Sequence, residues 1–377
     1  MASFWKNTVL EPYRLFFPVG VAYLLWGSLL WLPQLWDPGA YPVLAHRYLM
    51  LNGFVASFIG GFLMTAVPKF SKTFSAKPFE VGLFFLIPPA GITLAYRELE
   101  GAMLLSSAPQ ALLLLIFLFS RIFHRKENPP YSFVFIFVGL FLWLFSSVLG
   151  AVTGAEVFSR LHYEGAVAAI ILGVGSRLVP GILGHVEIVA AQRLSYERPV
   201  PILRTVPLAF FGLVFGFVGS YFLPDRPGSF LRALVVAYVA MRYWLLWKAP
   251  RERTALTWSI WVSSWCIIAS FLLRALWQEG MIHAGHSFFI TGIVLLCLLI
   301  ATRVLQSHGP KQKELEDRRL LYVVTALIIL AAATRVTAYL MPEHYLRHLA
   351  YSAVVLVAGV ILWSVRYLRL VLVRSEL

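Results

Sequence analysis

Charge is scarce in this chain. Asp, Glu, Lys and Arg make up 13% of its 377 residues, and aspartate occurs only as Asp37, Asp225 and Asp317. So little charge, set against 59% hydrophobic residues, excludes a water-soluble enzyme. Cysteine is nearly absent. Cys266 and Cys297 lie inside apolar stretches, far from any paired spacing, which excludes a disulfide framework and a structural zinc motif. They read as small hydrophobes in helix interiors. Long polar stretches are missing as well, so there is little chain for a soluble domain, and one polytopic membrane domain over 1–377 is expected.

What the chain has instead is a succession of apolar stretches, each near the roughly 20 residues that a spanning helix needs. Twelve can be delimited, at 15–35, 46–67, 79–97, 101–121, 131–154, 161–180, 201–222, 230–247, 255–277, 283–302, 320–340 and 346–366. The fold class expected is an all-α membrane protein with twelve transmembrane helices. The connections are short and rich in Pro, Gly and charge, as in Asp37-Pro38-Gly39 and Pro224-Asp225-Arg226-Pro227-Gly228. The longest, 181–200, holds Gly184, His185, Glu187, Arg193 and Glu197 and is expected as a short helix on the inner surface. The stretch 306–319 reads as charged and solvated. The first apolar stretch shows no small-residue cleavage signal and reads as a retained helix.

A net charge of +14 would suit nucleic acid, but the basic residues sort by side of the membrane. Only Arg47, Arg97, Arg160, Arg226, Arg232, Arg274, Arg335 and Arg347 fall outside, leaving 24 of the 32 Lys and Arg inside. That asymmetry places both termini in the cytoplasm and makes the lipid bilayer, not nucleic acid, the partner.

Histidine carries the strongest pattern. His46 opens the second stretch, His162 the sixth, and His283 with His286 the tenth, at separations of 116 residues (46 to 162) and 124 (162 to 286). Three quasi-repeats of four helices follow. A side chain in the first turn lies within roughly 6 Å of its helix end, so these imidazoles form one outer layer. His283 and His286 share a face, with Gly285 keeping it open. Neutral imidazole ligates haem iron and copper; two can clamp a haem, whereas copper wants about three. His344 and His348, four apart at the start of the twelfth stretch, could add to the layer. His124, His185 and His308 lie among Arg and Lys and read as solvated. Arg47 and Arg160, beside His46 and His162, suit the haem propionates. The bland alternative is that interfacial histidines and arginines snorkel toward water. Gly53, Gly60, Gly61, Gly165, Gly173 and Gly175 allow either close helix packing or room for a flat ligand. Glu164 is the one acid within the first turns of a histidine-bearing helix, and no chain of protonatable groups crosses the bilayer, which disfavours a proton pump or an ion-coupled transporter.

The run His46-Arg47-Tyr48 through Gly53-Phe54, then Gly60-Gly61-Phe62-Leu63-Met64-Thr65-Ala66-Val67-Pro68, resembles the second helix of the NnrS family of membrane proteins. In the tenth helix, His286, Arg303 and His308-Gly309 are similar to that family's pattern. The resemblance implies a bacterial inner-membrane protein that binds haem b and copper and takes part in nitric oxide metabolism or nitrosative stress, with an electron donor as partner. It carries His46, His286, Arg303 and His308 over directly, and His162 by its place in the repeat. Where the family has a second histidine two residues after the first, this chain has Tyr48; where it has one in the ninth helix, Trp261. The twelve-helix plan is also similar to the large subunit of haem-copper oxidases, but the seventh stretch holds no histidine. The expected function is redox-linked binding or conversion of a diatomic gas. The alternatives are a haem or copper carrier or sensor without turnover, and a metal-free transporter that uses the histidines for its substrate.

Overall fold

A computed structural model describes residues 7–36, 41–187, 206–307 and 317–372. The described residues are helical and contain no strand. We number the helices α1 (Tyr13–Leu35), α2 (Val43–Ser71), α3 (Pro78–Tyr96), α4 (Glu100–Phe123), α5 (Tyr131–Thr153), α6 (Glu156–Ile182), α7 (Leu208–Phe222), α8 (Asp225–Arg242), α9 (Ala255–Leu276), α10 (Met281–Ser307), α11 (Arg318–Leu340) and α12 (Pro342–Val371). Ten of them are long and apolar enough to cross a membrane. The two that are not are α7, which is short, and α8, which carries Asp225, Arg226, Arg232 and Arg242.

α8 is also where the sequence boundaries miss most. The apolar run suggests 230–247, but the helix starts at Asp225, directly after Pro224 in extended conformation, and stops at Arg242. The following turn places Leu245 at a φ of 54°. It is closed from α9, where the indole Nε1–H of Trp261 donates to the carbonyls of Leu246 at 3.0 Å and Lys248 at 3.2 Å. Trp261→Phe is expected to cost about 1 kcal/mol through the lost hydrogen bonds, read as a lower thermal midpoint in detergent. At α2 and α6 the prolines do not end the helix: Pro68 and Pro180 sit in final turns that run on to Ser71 and Ile182. The connection with Arg193 and Glu197, and His308 with its neighbours, lie outside the described residues.

Two packed units are distinguished. The first takes the described residues up to Tyr23, then Val43–Pro180, then those from Val186 to Leu223. Here α3, α4 and α5 pack as successive neighbours, with α2 against them. Its glycines serve close packing. A Cβ on Gly53 would lie 2.7 Å from the Tyr23 ring, one on Gly61 2.9 Å from Phe16, and one on Gly173 2.9 Å from the backbone nitrogen of Ile136. The second unit takes Leu24–Pro42, Gly181–His185 and the described residues from Pro224 onward. There α8 packs on α9, α9 on α10 and α11, and α11 on α12.

Three helices differ from the rest. α2, α6 and α10 each contain a π-helical segment, at Leu49–Val55, Leu161–Gly165 and Phe288–Val294. Such widened turns inside α-helices concentrate at functional sites. They are also the most buried helices, at 89%, 67% and 72% of their apolar windows against 39–56% for the other candidate spans. These same three helices carry His46, His162, and His283 with His286.

Candidate functional site

In the first unit the chemistry centres on His162. Its ring is buried within the π segment of α6, beside Trp143 of α5 and Tyr163, with ring centroids 6.2 Å and 4.8 Å away. Ser147 Oγ lies 3.1 Å from His162 Nδ1. That hydroxyl has one proton, and its shortest bond, 2.6 Å, gives it to the Trp143 carbonyl. Nδ1 therefore donates to Ser147, and Nε2 keeps its lone pair. Metal-ligating histidines take this arrangement, one nitrogen held by an acceptor and the other left to coordinate. Ser107 of α4 lies 2.8 Å from Ser147 Oγ. The indole Nε1 of Trp143 and the hydroxyl of Tyr163 are buried with no partner among the described residues.

The polar layer continues into α2. Asn52 of its π segment donates to Gln110 Oε1 of α4 at 3.4 Å and receives the Gln110 amide on its carbonyl at 3.0 Å. Glu164 is buried and accepts the Tyr221 hydroxyl at 2.9 Å. His46 is half-buried just before the π segment. The two arginines read as propionate partners already have carboxylates. Arg47 is 3.6 Å from Glu100 and stacks over Tyr163, and Arg160 is 3.8 Å from Glu156 on its own helix.

In the second unit His286 is half-buried, and its Nδ1 lies 2.8 Å from the Ile282 carbonyl. A carbonyl only accepts, so Nδ1 carries the proton and Nε2 is again the nitrogen with a lone pair. His283 is turned the other way. Its Nδ1 is 2.8 Å from Nη1 of Arg335, which only donates, so Nε2 carries the proton. Gly285 is not open: Nη1 of Arg274 would lie 3.6 Å from a Cβ there. On α12 His344 is exposed, while His348 is half-buried, its Nδ1 buried without a partner among the described residues. Cys266 and Cys297 are free, half-buried thiols. Among the described residues no three of His, Cys, Asp and Glu gather closely enough to hold a metal ion.

The NnrS family profile, described as NnrS protein, matches residues 8–374. The chain belongs to the NnrS family. No curated protein matches it significantly. Within this NnrS chain Tyr48 and Trp261 have packing roles. Tyr48 is fully buried against Gly91 of α3, with its hydroxyl 3.4 Å from Ser106, and Trp261 closes the turn after α8. Arg335, Ser147 and the three π segments were missed in the sequence. Of these only Arg335 left a signal, as a cation within an apolar stretch.

Proposed function

We propose that this NnrS protein binds haem b in a bacterial inner membrane and uses it to bind, and through an electron donor to convert, a diatomic gas, nitric oxide first. The observation that carries the reading is the state of His162 and His286. Each is placed in or just before a π segment, and each gives its Nδ1 proton to an oxygen; at His162 this leaves the Nε2 lone pair for a metal. Haem needs only one or two such nitrogens and fits this donor set; a three-imidazole copper site does not, since no three ligands gather among the described residues. Held by one histidine, a haem would supply an iron able to bind the gas. Around His162 the Trp143 N–H and Tyr163 O–H are unused buried donors, suited to a polar ligand on the iron and costly to leave unpaired. The π segments on α2, α6 and α10, four helices apart, support the finer reading of twelve spans in three quasi-repeats, and the Lys and Arg asymmetry supports cytoplasmic termini.

His162→Ala and His286→Ala are expected to lose most of their Soret absorbance when purified after expression with ample haem. Ser147→Ala, which removes the acceptor of Nδ1, should weaken haem affinity by roughly 10–100-fold. A carbon monoxide shift of the ferrous Soret band is expected of an open site. Six-coordinate haem indifferent to carbon monoxide would favour the carrier reading, and full haem content in both histidine variants would overturn the ligand assignment.

A further inference from the structure

We propose that the second unit holds a binding site for a small, planar, singly charged anion of the carboxylate or nitrite class, built on Arg335 where the end of α11 meets the starts of α10 and α12. This site stands whether or not the protein carries haem. Arg335 is 9% exposed, and no carboxylate among the described residues reaches it. By contrast, the buried Arg14 and Arg121 sit on Glu11 and Glu80. A buried guanidinium without an anion carries a desolvation cost that the dipole of its own helix C-terminus offsets only in part.

The surrounding groups supply protons and few acceptors. Arg335 donates to His283 Nδ1 at 2.8 Å and also hydrogen bonds the Tyr345 hydroxyl. His283 therefore holds its own proton on Nε2, and Tyr345, already accepting, keeps a proton to give. That proton can reach the Tyr41 hydroxyl, 3.5 Å away. The imidazole N–H finds the Arg335 carbonyl, so what the cluster lacks is negative charge. A two-oxygen anion supplies it, taking the fork bidentately and accepting from Tyr345. The rings of Trp277, Tyr339 and Tyr345 lie 5.3–6.4 Å from that of His283 and lower the local dielectric, which strengthens such bonds. Tyr41, at 51% exposed, and Tyr339, at 39%, leave the cluster reachable from the helix ends.

The anion has two sources, a free small ion or the propionate of a bound haem, and the test separates them. Sodium formate and sodium nitrite are titrated calorimetrically into the full-length protein in detergent, haem-free and haem-loaded. Saturable binding is expected in the haem-free protein, weakened roughly 10–100-fold by Arg335→Gln. Tyr345→Phe should weaken it less, and Arg335→Lys should restore part of it, keeping the charge without the fork. If haem loading abolishes formate binding, and haem dimethyl ester binds the wild type no better than haem binds Arg335→Gln, the occupant is a propionate. Formate binding unchanged by haem marks a free-anion site. The proposal fails if neither anion binds saturably to the haem-free wild type and Arg335→Gln, eluting and melting like the wild type, takes up haem equally well. The haem ligands can fail their own test without touching this one.

Discussion

Arg121→Ala is expected to lower stability by about 3–5 kcal/mol, the largest effect of any single side chain here. Arg121 is fully buried near the end of α4, and its two Nη atoms grip Glu80 at 2.6 Å and 2.7 Å. Glu80 is buried too, and the same carboxylate accepts the Lys77 backbone N–H at 2.7 Å, closing the N-terminus of α3. The guanidinium also donates to the Ser75 carbonyl at 3.0 Å and packs 3.7 Å from the Phe117 ring centroid and 4.5 Å from that of Phe74. Removing the arginine leaves an anion in an apolar setting, and that uncompensated charge dominates the loss. Arg121→Met combined with Glu80→Gln should therefore recover most of the stability, because neither partner is then left charged. Thermal midpoints of the three purified proteins check this. A double variant no better than the single would mean that the ring packing, not the charge, holds the corner.

Gly139→Ala is expected to be nearly as damaging. The new Cβ would lie 2.7 Å from the Ala166 carbonyl oxygen and 2.9 Å from the Ile170 nitrogen, both backbone atoms of α6. A flexible side chain could swing aside, but these can move only if α5 and α6 separate. Overpacking of this kind costs about 1–3 kcal/mol, and more where backbone must shift. The separation would also be felt two turns on, where Ser147 of α5 holds Nδ1 of His162. Gly82→Ala serves as the control, since nothing lies within 4 Å of its Cβ position. There the change should leave the protein as stable or raise stability by about 1 kcal/mol, the ordinary helix preference of alanine over glycine. Equal melting of the two variants would refute the account of the α5 and α6 contact.

Apolar length alone located most helices closely. The stretch 131–154 became Tyr131–Thr153, and 255–277 became Ala255–Leu276, because α5 and α9 are bounded by Pro130 and by the Thr254 cap. Hydropathy failed at α8, where Trp244, Leu245 and Leu246 are apolar through packing in a turn and not through helix membership. The histidines stood out by spacing, but their chemistry did not. Which nitrogen carries the proton depends on Ser147 for His162 and on Arg335 for His283, residues on other helices that no local pattern connects. The Glu156 partner of Arg160 was legible at four residues' distance, whereas Glu100 reaches Arg47 only through the fold. The π segments left no mark in composition at all.

Those segments have an evolutionary corollary. A widened turn amounts to one inserted residue, and each residue advances a helix by roughly 100°. Deleting one position within Leu49–Val55 would restore regular winding and rotate the upstream end, sweeping His46 to another face of α2. A homologue lacking the insertion could keep its imidazole in place only by carrying it one position along. Single-residue gaps at these three points in an alignment would therefore trace how the pocket has been re-aimed, while gaps elsewhere in the same helices would not.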